Sequence, residues 1–384
     1  MDPNELAYVF ILICSIPASL LLREIRGEIR GIEASRVYSS FFGFMATIIF
    51  SSWRAHLGVI AVGIFLFFIR QSENLKFVPI LAFALLLPIR TFGGFDGLSN
   101  AFLLISTLRL VMFATDLSDG LINNDDKLDL IYKYMVYLYS LPGIFTGPVV
   151  PAWLFYKKSV KEKIPEISRL CLNASICGCG SLLLNPLFKQ MLHDDLIGQF
   201  QIFPLLMITP WFFRMRCYFA WYLSEAALLC LNLREDGWGT NCPNLFGSER
   251  SITIASAIRA WNSSVQKFFA KYIFSRLKNI PQRALFTMAL SAWWHGTEAG
   301  LYLLFIGTWI AQVVERFYIG RIPKIASWLL TNSLTNFLVL AFILKKDLHI
   351  FIQFSQRVNH IYILTPLIVA SLCALLHQLK PLFV

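Results

Sequence analysis

Two side chains late in the sequence could carry out proton transfer beside a carbonyl group. His295 lies in Ser291-Ala292-Trp293-Trp294-His295-Gly296, an otherwise apolar and aromatic segment that continues through 301–305. A neutral imidazole can take a proton from a hydroxyl, and a desolvated setting favours the neutral form. A general base has to do this. If the segment is helical, Ser291 lies one turn before His295 and Glu298 nearly one turn after it, on the same face. The competing account is a histidine that satisfies a helix partner and does no chemistry.

Asn262 is the second group, within Trp261-Asn262-Ser263-Ser264-Val265-Gln266. A carboxamide donates and accepts hydrogen bonds, which suits holding a carbonyl or thioester oxygen. At about 100° per residue Asn262 and Gln266 share a face, while Lys267 and Lys271 fall away from it. The spacing predicts an amphipathic interfacial helix whose lysines reach headgroups or water. Trp261, Gln266 and Trp294 are expected to contact substrate beside these two groups. A helix-packing amide and a glycosylation sequon, Asn262-Ser263-Ser264, are the alternatives.

A third constellation runs from Arg214 through Arg216 and Tyr218 to Glu225. Arg214, Tyr218 and either Trp221 or Tyr222 form one helical stripe, with Glu225 a turn further on. Acids and bases in lipid usually pair, so an Arg214–Glu225 clamp competes with substrate contact. Arg109, inside 103–113, is open to the same two readings, and an arginine fork can hold a phosphate.

The elements that must position these groups follow from composition. Of 384 residues 57% are hydrophobic and 15% charged, against roughly 45–50% and 25% in an ordinary soluble chain. A soluble fold could not cover that much apolar surface. A spanning helix needs roughly 20 mostly apolar residues. Candidate segments are 6–22, 37–53, 56–69, 77–89, 101–115, 134–156, 170–188, 202–211, 217–233, 285–294, 301–314, 326–344 and 361–376. Several are too short to span alone. The expectation is an all-α polytopic membrane protein, one domain over 1–384, with roughly ten membrane helices plus re-entrant or interfacial pieces.

The first apolar stretch follows an acidic leader and precedes Arg23, Arg26, Arg30 and Arg36, the reverse of a signal peptide. It reads as a retained span with its N-terminus on the lumenal or exterior side, and the loop 157–163 as cytoplasmic. A net charge of +11 is spread through short loops as topology determinants would be, which argues against nucleic acid. The eight cysteines follow no metal-ligand or paired spacing and read as small core residues. No metal or prosthetic group is implied. The stretch 233–251, with Gly237, Gly239, Pro243 and Gly247, reads as an irregular loop.

The helix Trp261–Gln266, followed 33 residues after its Asn by Ser291–Gly296, resembles the membrane-bound O-acyltransferase family. The resemblance implies a helical bundle with an internal tunnel, and Asn262 and His295 as the paired active-site residues. Further likeness in Met1 through Tyr8, Ser99-Asn100-Ala101, Leu108 to Val111, Gly143 to Pro148 and Phe213 through Trp221 with Ser224-Glu225 points to the lysophosphatidylinositol acyltransferases. It implies transfer of a polyunsaturated acyl group from acyl-CoA, a cosubstrate rather than a cofactor, to the sn-2 hydroxyl of lysophosphatidylinositol in the endoplasmic reticulum membrane. The chain departs from the family where Val149-Val150-Pro151-Ala152 follows Pro148 and where Glu298-Ala299-Gly300-Leu301 follows the histidine. Rival expectations are another acceptor (a different lysophospholipid, a sterol or diacylglycerol, or a secreted peptide), a transporter, or an inactive scaffold.

Overall fold

The computed structural model describes residues 3–69, 82–84, 88–89, 91–123, 127–158, 167–193, 206–208, 210–235, 237–358 and 360–379. Almost all regular structure among them is helical. The strands are the short antiparallel pair β1 (Glu28–Ile29) and β2 (Ile32–Glu33). Backbone contacts gather the chain into two units, the first Met1–Ser175, Tyr218–Pro243 and Asn262–Lys278, the second Ile176–Cys217, Asn244–Trp261 and Asn279–Val384.

In the first unit α1 (Pro3–Arg23), α2 (Ala34–Phe50) and α3 (Trp53–Ile69) precede the central helix α4 (Gly97–Ser118). The Asp96 side chain caps α4 by accepting a hydrogen bond from the Ser99 backbone at 2.7 Å, which satisfies one of the first-turn N–H groups. The helix is apolar on every side, as a helix enclosed by protein should be. It touches α1, α2, α3, α5 (Lys127–Leu138) and α6 (Ala152–Tyr156).

The segment 134–156 is not one span. It breaks after Leu138, turns through Pro142 and Gly143, runs without regular structure over 147–150 and resumes as α6. Proline removes N–H donors and glycine admits left-handed backbone, so Pro142, Pro148, Pro151 and Gly143, at φ 71°, stop a helix that hydropathy alone would continue. The break leaves backbone carbonyls in an apolar setting. Arg109, on α4, donates to three of them, Leu138, Ser140 and Pro142, at 2.7–2.9 Å.

In the second unit α11 (Arg283–His295), α12 (Ala299–Glu315) and α13 (Lys324–Ile343) pack in succession, followed by α14 (Leu348–Arg357) and α15 (Ile361–Leu379). Its core joins Phe188 and Met191 of α7 (Ser168–His193) and Phe212 of α8 (Trp211–Cys230) to Phe337, Leu340 and Phe351. Gly300 lets α12 approach α13 closely, since a Cβ there would lie 2.2 Å from the Ala341 carbonyl oxygen. α9 (Ile254–Ala260) completes the contacts of α12, with the Ile254 N–H on Glu315 at 2.7 Å.

Among the described residues four helices, 4–23, 97–118, 168–191 and 324–343, are long and apolar enough to cross a bilayer, and the pair α14–α15, bent by 59°, makes a fifth if counted as one. Shorter apolar helices are Ala34–Phe50 and Ala299–Glu315. Most of the expected segment 77–89 and of the loop 157–163, and half of the segment 202–211, lies outside the described residues. The stretch 233–251 is irregular among its described residues, with a β-bridge between Glu235 and Trp238.

Candidate functional site

Asn262 does not sit within a continuous amphipathic helix. α9 opens with a capping box, Thr253 and Ser256 each bonded to the other's backbone N–H, and ends at Ala260. Trp261 is extended, Asn262 takes the left-handed conformation at φ 44°, ψ 50°, and α10 (Ser263–Phe268) starts after it. Asparagine is among the few residues that tolerate this conformation. The Asn262 side chain makes no cap bond to its own helix. Its Oδ1 is buried and accepts no hydrogen bond from the described residues, a condition that costs roughly 1–3 kcal/mol unless a ligand supplies a donor.

Groups from elsewhere in the first unit hold this turn. Asn241 accepts the Ser263 N–H on its backbone oxygen at 3.1 Å and the Ser264 N–H on Oδ1 at 3.3 Å. The Ser264 hydroxyl donates to the same Oδ1 and accepts the Val149 N–H at 3.0 Å. Ser263 Oγ donates to the Thr240 carbonyl at 2.8 Å.

After α10 the chain winds through a π-helical turn, Phe269–Ile273, and a 3-10 turn, Phe274–Arg276. Tyr272 donates its hydroxyl to Asp116 on α4 at 2.8 Å, and the other Asp116 oxygen accepts the Trp153 N–H at 3.2 Å. Burial and the Asp116 carboxylate push the Tyr272 phenol up, so it remains a donor. Lys271, expected among headgroups, lies over the Trp153 and Tyr272 rings at 5.5 and 5.2 Å, within cation–π range.

His295 closes α11. Gly296 at φ 157°, ψ −170° ends the helix in a region that residues with a Cβ avoid. Glu298 therefore does not follow on the same helical face. It stands at the N-cap position of α12 without a side-chain cap bond, and pairs with Lys345 at 3.6 Å. The imidazole is half-buried against Trp294, with centroids 4.5 Å apart, stacks on Phe305 at 5.2 Å, and meets the edge of Phe342 at 5.4 Å. Ser291 is buried on the same helix.

The expected Arg214–Glu225 clamp is replaced by two other pairs. Buried Arg214 meets buried Glu249 at 3.4 Å, and Glu225 meets Arg234 at 3.2 Å. Arg214 and Glu225 each take a partner from the irregular stretch 233–251, which helical spacing cannot anticipate. Arg109 is engaged by its three carbonyls and serves the break after α5, the structural of its two expected roles. Arg216 is exposed, Tyr218 is buried beside Trp221, and Trp261 and Gln266 are half-buried. Asn262, Gln266, Tyr218, Glu225 and Arg109 belong to the first unit, and His295, Trp294, Trp261, Arg214 and Arg216 to the second.

Comparison with known proteins identifies what this arrangement belongs to. The model of the membrane-bound O-acyltransferase family matches residues 125–344, more than half of the chain. The chain is a member of that family. It is therefore an O-acyltransferase and a multi-pass membrane protein, and Asn262 and His295 both fall inside the matched region. It is similar, at 25% identity over 378 residues, to a membrane-bound acylglycerophosphatidylinositol O-acyltransferase of Xenopus laevis, with 80% of this chain and 78% of the relative covered. A lysophospholipid acyltransferase of Schizosaccharomyces pombe is 26% identical over 333 residues, covering 69% and 65%. A membrane-bound acylglycerophosphatidylinositol O-acyltransferase of Caenorhabditis elegans is 23% identical over 389 residues, covering 84% and 82%.

Within this family member, sequence reasoning missed Asn241, Ser264 and Asp116. Asp116 carried a usable signal, because an acid at the end of the apolar run 101–115 is costly in lipid unless it has a role. Asn241 carried none, since Thr240-Asn241-Cys242-Pro243 reads as ordinary turn chemistry.

Proposed function

We propose that this family member is a lysophospholipid acyltransferase that moves a polyunsaturated acyl group from acyl-CoA to the sn-2 hydroxyl of lysophosphatidylinositol in the endoplasmic reticulum membrane. The observation that carries the reading is the buried, unpartnered Oδ1 of Asn262 beside its own amide donors, together with an imidazole boxed by aromatic rings. The relatives named above supply the acceptor class. Roughly ten membrane helices around a tunnel are part of the same proposal.

In this mechanism His295 takes the proton of the acceptor hydroxyl as the oxygen attacks the thioester carbon. The new C–O bond forms, and the carbonyl oxygen becomes an oxyanion. The Asn262 carboxamide orients the thioester and donates to that oxygen. Collapse breaks the C–S bond, the ester leaves in the lipid, and His295 returns the proton to the departing CoA thiolate.

Another acceptor, such as a different lysophospholipid, sterol, diacylglycerol or peptide, is the runner-up, because Val149–Ala152 departs from the family run. Purified protein assayed with arachidonoyl-CoA and a panel of lysolipids, reading free thiol release and the lipid product, separates these. Acylation of lysophosphatidylinositol is expected. No acylation of any lysolipid in folded protein removes the reading.

A further inference from the structure

An asparagine that starts a helix ordinarily uses its own side-chain oxygen to accept the N–H of the second or third helical residue. Asn262 starts α10 and does not do so. The N–H it would have taken, that of Ser264, is donated instead to Oδ1 of Asn241, 21 residues earlier in the sequence. Asn241 is fully buried. Its backbone oxygen also takes the Ser263 N–H, so this one residue satisfies the first two amides of the helix. The Ser264 hydroxyl, donating to Asn241 and accepting from Val149, fixes the same corner from a second side.

A left-handed residue with a side chain persists where its surroundings over-determine it. Here Asn241 supplies that determination and also removes the competing use of the Asn262 amide. We propose that Asn241 is a positioning residue: it caps α10 in place of Asn262, and so leaves the Asn262 carboxamide available to the acyl group. The proposal rests on the reading that Asn262 acts on the thioester. Without Asn241, the Asn262 side chain rotates to cap its own helix and the catalytic donor is withdrawn.

The test compares kcat and KM for acyl-CoA in Asn262→Ala, Asn241→Leu, Asn241→Asp and the double variant Asn262→Ala/Asn241→Leu, with thermal stability measured on each in detergent. Asn241→Leu is expected to lower kcat on the order of 100-fold, with KM within about twofold. Asn241→Asp keeps the acceptor oxygen and is expected to recover most of the turnover. The double variant is expected to be no slower than Asn262→Ala alone, because both changes withdraw the same amide. Multiplicative losses in the double variant, or wild-type kcat in Asn241→Leu beside a slow Asn262→Ala, overturn the positioning role and leave Asn262 in place. Wild-type turnover in Asn262→Ala overturns both. If Asn241→Leu gives no folded protein, Ser264→Ala against Ser264→Thr carries the same comparison. Turnover lost in the first and restored by the hydroxyl of the second supports the proposal, and equal turnover in the two defeats it.

Discussion

The His295 imidazole is half-buried and packs against Trp294, Phe305 and Phe342, so its removal takes away a partly exposed ring rather than a core side chain. His295→Ala is therefore expected to abolish acyl transfer while expression and detergent extraction stay near wild type. Wild-type turnover would exclude His295 from the mechanism, and turnover lost in step with melting temperature would make it a packing residue. For Asn262→Ala the expected signature is kinetic. A donor aimed at developing oxyanion charge acts mainly in the transition state, so kcat should fall by a factor equivalent to roughly 2.7–4 kcal/mol while KM for acyl-CoA holds. A raised KM with unchanged kcat would assign it to binding instead. The sequence offers both residues as candidates, His295 because lipid penalises an imidazole and Asn262 because the family resemblance pairs it with that histidine, and the two variants above are what test them. The partners of Arg214 and Glu225 were not legible in it. Periodicity relates residues along one helix, and Glu249 and Arg234 come from an irregular stretch outside that helix.

At the scale of elements, the apolar runs at 6–22, 101–115, 170–188 and 326–344 each became a helix long enough to span. Hydropathy misled at 134–156, where the prolines and glycines were the better guide. Arg109 bridges that break, so its substitution tests an element rather than a substrate contact. Arg109→Gln removes hydrogen bonds from a charged donor that contribute roughly 1.5–3 kcal/mol each. Lower yield and an earlier melting transition are expected, with the ratio of inositol to choline acceptor unchanged. A shifted ratio in protein of normal stability would return Arg109 to the acceptor site. Gly300→Ala asks the same of the close approach between α12 and α13. Its Cβ would lie 2.2 Å from the Ala341 oxygen, and the displaced helices should cost about 1–3 kcal/mol of stability. An unchanged melting temperature would mean that the two helices separate freely.

The whole molecule carries an excess of 34 Lys and Arg over 23 Asp and Glu, and the side chains that spend this charge internally bear on acceptor choice. Arg109 is committed to backbone carbonyls and Arg214 to Glu249, so neither has its fork turned to a ligand phosphate. Arg216 is exposed on the same helix as Arg214, where an acceptor headgroup can reach it. An inositol phosphodiester carries one uncompensated negative charge, whereas the choline headgroup cancels its own. An exposed guanidinium should therefore favour lysophosphatidylinositol, through the paired hydrogen bonds it can offer phosphate. The expected result is faster acylation of lysophosphatidylinositol than of lysophosphatidylcholine by the wild-type enzyme, a preference narrowed in Arg216→Gln at unchanged melting temperature. Arg214→Gln takes the cationic partner away from buried Glu249, a loss of roughly 3–5 kcal/mol, so it should reduce folded yield and leave the preference intact in whatever protein survives. Equal rates on the two lysolipids in the wild type would end the inositol assignment without touching the roles of His295 and Asn262. A preference that persists undiminished in Arg216→Gln would instead place headgroup selection on uncharged groups, and the inositol hydroxyls rather than the phosphate would be what the site reads.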